Sequence, residues 1–263
     1  MKKIFTVLMS FMSLLFVSTP FAFGGQLNNN IESLPYELNL KEFMNWLVPN
    51  QKGDHLKVLQ VRKWKDNKYV IMACIEENIS ASNAPESRKG ECGNGSFDVY
   101  VGVISLDGQK YNFDFRTYSP VSMDTHDDYE RYSLMLDLAP YHVKENTTSI
   151  GLRKSSSSTW IGGHIGSEML WLLMPHGEQL HEILKLETDF YDIIPGELNA
   201  DGSHNRDGQA DKSTLHVLKT KTNGYYDYLV KTVQYRYEGK EMKKSAISTR
   251  YVWSGAKKQY VTK

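Results

Sequence analysis

Oxygen-bearing side chains recur at short intervals around residue 207. Ser203, Asn205, Asp207 and Asp211 surround Gly208, so that their oxygens can converge around a glycine bend. A hard cation such as Ca²⁺ takes about six to eight oxygen ligands from loops of this composition. The spacing therefore predicts a calcium site. The simpler alternative is a polar loop in which Asn, Asp and Gly form turns.

The segment from Ser203 to Asp211 is similar to the Asp-rich calcium loops of EF-hand-type and integrin-type β-propeller repeats. It departs from that pattern at the first position, where Ser203 replaces an aspartate, and at the twelfth, where Thr214 replaces a glutamate. The resemblance implies a loop that binds Ca²⁺ through the four side chains named above. Each missing carboxylate weakens such a site.

A Ser- and Gly-rich segment, residues 153–166, contains Trp160 and His164. Binding residues often lie on such segments when a rigid β scaffold holds them. The indole and the imidazole would supply one aromatic surface and one hydrogen-bonding group, so we expect Trp160 and His164 to contact a ligand or partner. An ordinary long connection is the alternative.

Motifs that would identify an enzyme are absent. His176 and His181 lie near two glutamates, but the His-Glu-x-x-His spacing does not occur, and a hairpin is the simpler interpretation. No Gly-x-Ser-x-Gly elbow occurs either. The match of Ser254 and Lys257 to Ser-x-x-Lys falls in a predicted turn. Carboxylates are plentiful, and choosing an acid–base pair among them requires geometry. The sequence therefore assigns no catalytic residue.

The two cysteines of the chain suggest a disulfide. Cys74 lies in an apolar run and Cys92 in a polar stretch, and an oxidising compartment favours a bond between them. A loop of this size contributes about 3 kcal/mol in the chain-entropy model. A nucleophilic or metal-binding thiol is the alternative, but no second cysteine or histidine stands at ligand spacing.

The first 24 residues indicate such a compartment. A basic start at Lys2 and Lys3, an apolar run over residues 4–17 and a small-residue exit before Gly25 are the three parts of a secretory signal peptide. As a helix the apolar run reaches only about 21 Å, less than the ~30 Å bilayer core. We therefore expect residues 1–24 to be removed, leaving no membrane span and a protein of the bacterial periplasm or medium.

Residues 25–263 are predicted to form a β-rich domain. A short helix is expected after Asn39, because Glu42 completes a capping-box pattern and apolar residues follow with helical spacing. Elsewhere the apolar period is two, with turns such as Asn223-Gly224. The pattern predicts a mainly β, antiparallel sandwich or barrel-like fold built from hairpins. One option is two packed sheets that divide near residues 144–160.

Composition excludes one class of partner and leaves several others open. Lys plus Arg and Asp plus Glu both number 31, so no basic excess for nucleic acid exists. We expect an exported binding or inhibitory protein, such as an immunity or enzyme-inhibitor protein, that acts on an envelope protein or a glycan. The alternatives are an envelope hydrolase acting on cell-wall or polysaccharide substrates and a structural surface protein with a calcium-stabilised loop.

Overall fold

The computed structural model describes residues 34–49, 56–75, 92, 97–123, 131–160, 163–198 and 204–263. Within them the chain is mainly β with one short N-terminal helix, as the sequence predicts. At eight residues, the described helix falls well short of the length needed to cross a bilayer. The predicted signal peptide, residues 1–24, lies outside the described residues.

The structure comprises one helix and a series of strands in chain order. Their bounds are α1 (Leu40–Leu47), β1 (Leu56–Lys65), β2 (Lys68–Ile75), β3 (Phe97–Asp107), β4 (Lys110–Thr117), β5 (Val121–Met123), β6 (Arg131–Asp137), β7 (His142–Lys144), β8 (Thr147–Thr148), β9 (Ile150–Trp160), β10 (Gly163–His176), β11 (Gln179–Leu198), β12 (His204–Thr222), β13 (Tyr225–Glu238), β14 (Glu241–Ser254) and β15 (Gln259–Thr262).

Helix α1 begins where the sequence predicts and covers one face of the N-terminal strands. The Asn39 side chain accepts a hydrogen bond from the Glu42 N–H at 3.2 Å, which satisfies one of the free donors of the first turn. Phe43 and Leu47 are buried against Ile71 and neighbouring side chains of the sheet. The helix therefore forms the outer layer on that side.

One large sheet connects most of the strands. Its order is β1-β2-β3-β4-β11-β12-β13-β14-β15, with β5 paired to β3 and with β10, β9 and β6 extending from the other edge of β11. Almost all pairs are antiparallel hairpins, and the exception is a short parallel contact between β4 and β11. Among the described strands the sheet does not close into a barrel, so of the two predicted forms the structure resembles the sandwich.

Strand β10 is covered by a hydrophobic cluster on each face. Trp171 and Leu173 pack in a cluster with β2, β3, β6 and β9. Leu170 and Leu172 pack in another with Tyr228 and other side chains of the C-terminal strands. A strand covered on both faces is apolar at every position rather than at alternate ones, which explains the unbroken apolar run of residues 169–174.

The region of the predicted division is occupied by strand β9. This strand pairs with β6, which precedes it, and with β10, which follows it. One hydrophobic cluster contains Leu136 and Leu173, which lie on the two sides of residues 144–160. A division of the domain at this point stays a prediction.

Candidate functional site

Four long strands, β11 to β14, pair with one another at the ends that lie away from the hydrophobic clusters, and we call this part of the sheet the distal sheet. It consists of residues 189–198 of β11, 204–214 of β12, 231–238 of β13 and 241–248 of β14. Wherever the structure describes side-chain burial in these segments, no side chain is buried. None of the three hydrophobic clusters of described residues includes them. Neither face of the distal sheet is therefore covered by a hydrophobic cluster of the described residues.

The strand registers place tyrosines on one face of the distal sheet. Tyr191 lies opposite Ala210, which lies opposite Tyr235. In the next row Ile193, Gly208 and Tyr237 are aligned in the same way. Residues in register share a face, and so do residues two apart along a strand. We call this surface the tyrosine face.

The Tyr191 ring extends over the neighbouring strand β10. A Cβ atom built at Gly166 would lie only 2.4 Å from the Tyr191 ring, so the ring packs against the glycine backbone. Burial and the nearby Asp189 carboxylate raise the pKa of Tyr191, while a hydrogen bond with Ser157 acts in the opposite direction. The missing side chain at Gly166 therefore provides the space that the half-buried Tyr191 ring occupies.

A shallow trough runs along β12 between the rows of larger side chains. Its floor is Gly208 and Ala210, with Tyr235 on the strand at one side and Tyr191, whose ring extends over Gly166 of β10, on the strand at the other. Two inter-strand spacings separate the Cα atoms of the two tyrosines by about 10 Å. Gly208 has φ +129°, and a Cβ there would lie 2.0 Å from the Asp192 carbonyl oxygen, so the floor can carry no side chain at this point.

The two faces of the distal sheet carry opposite charge. Within β11 to β14, strand register places four cationic side chains and one carboxylate on the tyrosine face, and mostly carboxylates on the reverse. The tyrosine face carries Arg206, Lys212, Lys231, Lys244 and Asp189. The reverse, which we call the acidic face, carries Glu187, Asp192, Asp207, Asp211, Glu238, Glu241, Arg236 and Lys243. Burial and the Asp211 carboxylate raise the pKa of Glu187 on that face.

The predicted ligand residues lie on strands and not on a long loop. His164 is exposed on β10, in the row of Ile193 and Gly208, so it belongs to the tyrosine face. Its ring nitrogen lies 3.2 Å from the Thr159 hydroxyl of β9. Trp160 ends β9 and pairs with Gly163. The Ser-rich stretch thus forms strand rather than a connection, and its four consecutive serines, residues 155–158, are half-buried on both faces of β9.

The structure does not bring the predicted calcium ligands together. Ser203 lies outside the described residues. Asn205, Asp207 and Asp211 occupy strand β12, where the outer two are about 20 Å apart at ~3.3 Å per residue. Asp207 accepts a hydrogen bond from the Gly239 N–H at 2.7 Å. No metal-binding group of three His, Cys, Asp or Glu side chains occurs among the described residues.

The Asp211 carboxylate is also occupied by other side chains. It accepts hydrogen bonds from Arg236 at 2.7 Å and from Gln234 at 3.0 Å. Burial opposes ionisation, but these two bonds outweigh it and lower the pKa of Asp211. The calcium site stays a prediction, and the described carboxylates have partners within the protein.

The histidine pair lies at the opposite end of the β10–β11 hairpin. His176 and His181 flank the Gly177 turn, and their ring centres are 5.7 Å apart. Tyr118 stacks on His181 at 5.3 Å. Burial, the adjacent His176 and the positive charge of Lys258 lower the pKa of His181. These side chains form an aromatic cluster on the hairpin that the sequence predicts.

The two cysteines form the predicted disulfide. Cys74 of β2 is bonded to Cys92, with the Cα atoms 6.0 Å apart. Both are buried, and the Cys92 N–H donates a hydrogen bond to the Tyr132 hydroxyl. Among the described residues no thiol is free. The bond anchors Cys92 to the central core.

A charged network centred on Arg153 lies beside the central core. The Arg153 Nε donates to Asp137 at 2.7 Å, and its Nη1 contacts Glu168 and Thr188. The Tyr141 hydroxyl donates to the same Asp137 carboxylate at 2.7 Å. Burial opposes ionisation of Asp137, but its hydrogen bonds outweigh this and lower its pKa. Burial and the Asp137 carboxylate raise the pKa of Tyr141 to about 12.

Sequence reasoning missed the tyrosine face. The available signal was Tyr235-Arg-Tyr237, two rings at the strand period beside lysine-rich β14. That period places both rings on one face, but only the strand register shows that Tyr191 joins them. The chain matches no known family, no curated protein and no solved structure. The class of protein therefore rests on the geometry described above.

Proposed function

We propose that this chain is an exported binding protein whose tyrosine face binds a glycan of the cell envelope. The observation that carries the proposal is the ring of Tyr191, which packs on Gly166 beside a trough with no side chain at Gly208. Flat aromatic rings bind the apolar faces of sugar rings, and their hydroxyls supply hydrogen bonds at the edge.

The groups around Tyr191 are better suited to binding a sugar than to binding a protein. Ser157 and Thr159 supply hydroxyl groups on β9 in the same two rows as the tyrosine face. The two strands that border the trough are about 10 Å apart, which accommodates one polymer chain. A protein partner of standard size would need about 800 Å² of close-packed surface with an apolar centre.

The hydrolase alternative finds less support. The carboxylates Asp137 and Glu168 both contact Arg153, whereas glycoside hydrolysis uses two carboxyl groups that exchange protons with the substrate. Because its hydrogen bonds lower the pKa of Asp137, that carboxylate is a poor proton donor at neutral pH. We assign this network to stability.

Affinity electrophoresis through gels that contain neutral or uronic-acid polysaccharides tests the proposal. We expect retardation of the protein by at least one polymer, and we expect Tyr235→Ser to weaken it about tenfold, as for other aromatic contact residues. Tyr235→Phe should retain most of the binding because the ring remains. Tyr118→Ser, which removes a tyrosine that is 66% exposed elsewhere, is the matched control.

Two outcomes would overturn this proposal. One is migration unaffected by every polysaccharide in the series. The other is equal weakening by Tyr235→Ser and Tyr118→Ser, which would place the bound sugar away from the distal sheet. Thermal melting of each variant shows whether a loss of binding reflects a loss of folding.

A further inference from the structure

The shape of the trough selects for a linear polymer. Its floor follows β12 from residue 206 to residue 212, which is a length of about 20 Å at ~3.3 Å per residue. Between Arg206 and Lys212 at its ends, Gly208 and Ala210 carry no large side chain, and no strand of the described sheet crosses this path. An extended chain can therefore lie along β12 over these two residues.

Cationic side chains lie at both ends of the trough and along one of its sides. Arg206 and Lys212 occupy the two ends on the tyrosine face, and both are exposed. Lys244 lies in register with Tyr235, and its Nζ is 5.6 Å from the centre of that ring. Register places two carboxylates on this face, Asp189, which lies opposite Lys212, and Glu168 of β10, which lies opposite Asp189 and is paired with Arg153. The face therefore carries a net positive charge.

The reverse side would repel the same ligand. Asp192 and Asp207 lie on the acidic face, directly behind the trough, together with Glu187. A protein with no net charge thus has a cationic surface on one side of a single sheet layer and an anionic surface on the other. Like charges across an interface disfavour binding, so the distribution orients an anionic ligand to the tyrosine face.

We propose that the glycan bound in the trough is a linear anionic polysaccharide, whose carboxylates or other acidic groups contact Arg206, Lys212 and Lys244 while its sugar rings stack on the tyrosines. This inference rests on the proposed function, because it names the chemical class of the glycan. Exposed ion pairs of this kind change affinity by roughly two- to fivefold each, and salt screens them.

Polygalacturonate and the same polymer with its carboxylates methyl-esterified form a matched pair of probes. We expect the protein to be retarded by the acid polymer, several-fold less by the ester, and less by the acid polymer as sodium chloride is raised. Lys244→Gln should weaken binding to the acid polymer about two- to fivefold. Lys243→Gln removes the same charge from the next residue, which lies on the acidic face, and should not weaken it.

The outcomes separate this inference from the function on which it rests. Equal retardation by the acid and the ester, still abolished by Tyr235→Ser, would overturn the anionic preference and leave glycan binding intact. Equal effects of Lys243→Gln and Lys244→Gln would also overturn it, since general charge and not the tyrosine face would then govern binding. Retardation by neither polymer would remove both proposals.

Discussion

Arg153 shows how a single side chain stabilises several buried groups. It contacts Asp137 and Glu168, whose side chains are only 15% and 26% exposed, and its own is 20% exposed. Removing one partner from such a network leaves charges without compensation in a region of low dielectric. The corresponding pair on the distal sheet, Arg236 and Asp211, has the same 2.7 Å separation but lies closer to solvent.

We expect Arg153→Met to lower the free energy of unfolding by about 2–3 kcal/mol at neutral pH. Arg236→Met should lower it by less than about 1 kcal/mol, because the exposed pair is screened by water. Urea unfolding of the two variants and the parent protein measures this difference. Equal losses would show that burial does not strengthen the Arg153 network.

The same network predicts a pH dependence. The folded-state pKa of Asp137 lies below its usual 3.8, so its stabilising contribution is complete above that value and disappears as the pH falls through the folded-state pKa. The deficit of Arg153→Met should therefore shrink in acid, where protonated Asp137 no longer needs a cation. Unfolding curves at pH 7 and pH 3 test this. A deficit unchanged at the lower pH would exclude Asp137 as its source.

Individual residues also show the limit of sequence reasoning. The capping role of Asn39 was predictable because its partner, Glu42, lies three residues away. The importance of Gly166 was not, since its contact, Tyr191, belongs to another strand and depends on register. The sequence predicts a loop around Asp207, because Asn, Asp and Gly favour turns. These residues lie instead on strand β12. Their position on β12 is determined by pairing with β11 and β13.

At the scale of elements, the disulfide connects strand β2 to a residue outside that strand. Cys74 lies within β2, and Cys92 follows it by 18 residues. Closing a loop of this length reduces the conformational entropy of the unfolded chain. The apolar strand that contains Cys74 and the disulfide itself were both predictable from the sequence, because they depend on residue type and not on long-range register.

Reduction of this bond should lower the free energy of unfolding by about 3 kcal/mol. Unfolding of the parent protein with and without a phosphine reductant measures the change. The double variant Cys74→Ala and Cys92→Ala is the control, since its stability should not respond to the reductant. An unchanged unfolding curve for the reduced parent protein would contradict the expected role of the bond.

The edge strand β14 carries charged side chains that disfavour pairing with other copies. Before Tyr251 it pairs only with β13 among the described strands. Lys243 and Lys244 lie on opposite faces of this edge, and both are exposed. Charged side chains, lysine above all, discourage edge-to-edge association. Lys244 therefore has two roles here, as protection of the edge and as part of the cationic tyrosine face.

The whole molecule divides into a layered core and the distal sheet. In the core, the N-terminal and the C-terminal strands cover the two faces of β10, and α1 covers the outer face of the N-terminal strands. The alternating apolar pattern predicted the mainly β fold with one short helix correctly. It could not show that β11 to β14 extend beyond the last covering layer, because the same period of two fits a strand whether or not a layer covers it.

Because local stability follows buried contacts, the two parts should open at different rates. We expect amide hydrogens of residues 231–248 to exchange at least about tenfold faster than those of residues 170–173, whose side chains are buried on both faces of the sheet. Hydrogen exchange followed by mass spectrometry measures both segments in one experiment. An anionic polysaccharide that binds the tyrosine face should slow exchange in residues 231–248 and leave residues 170–173 unchanged. Equal protection of the two segments without ligand would mean that strand pairing alone stabilises the distal sheet as strongly as the core.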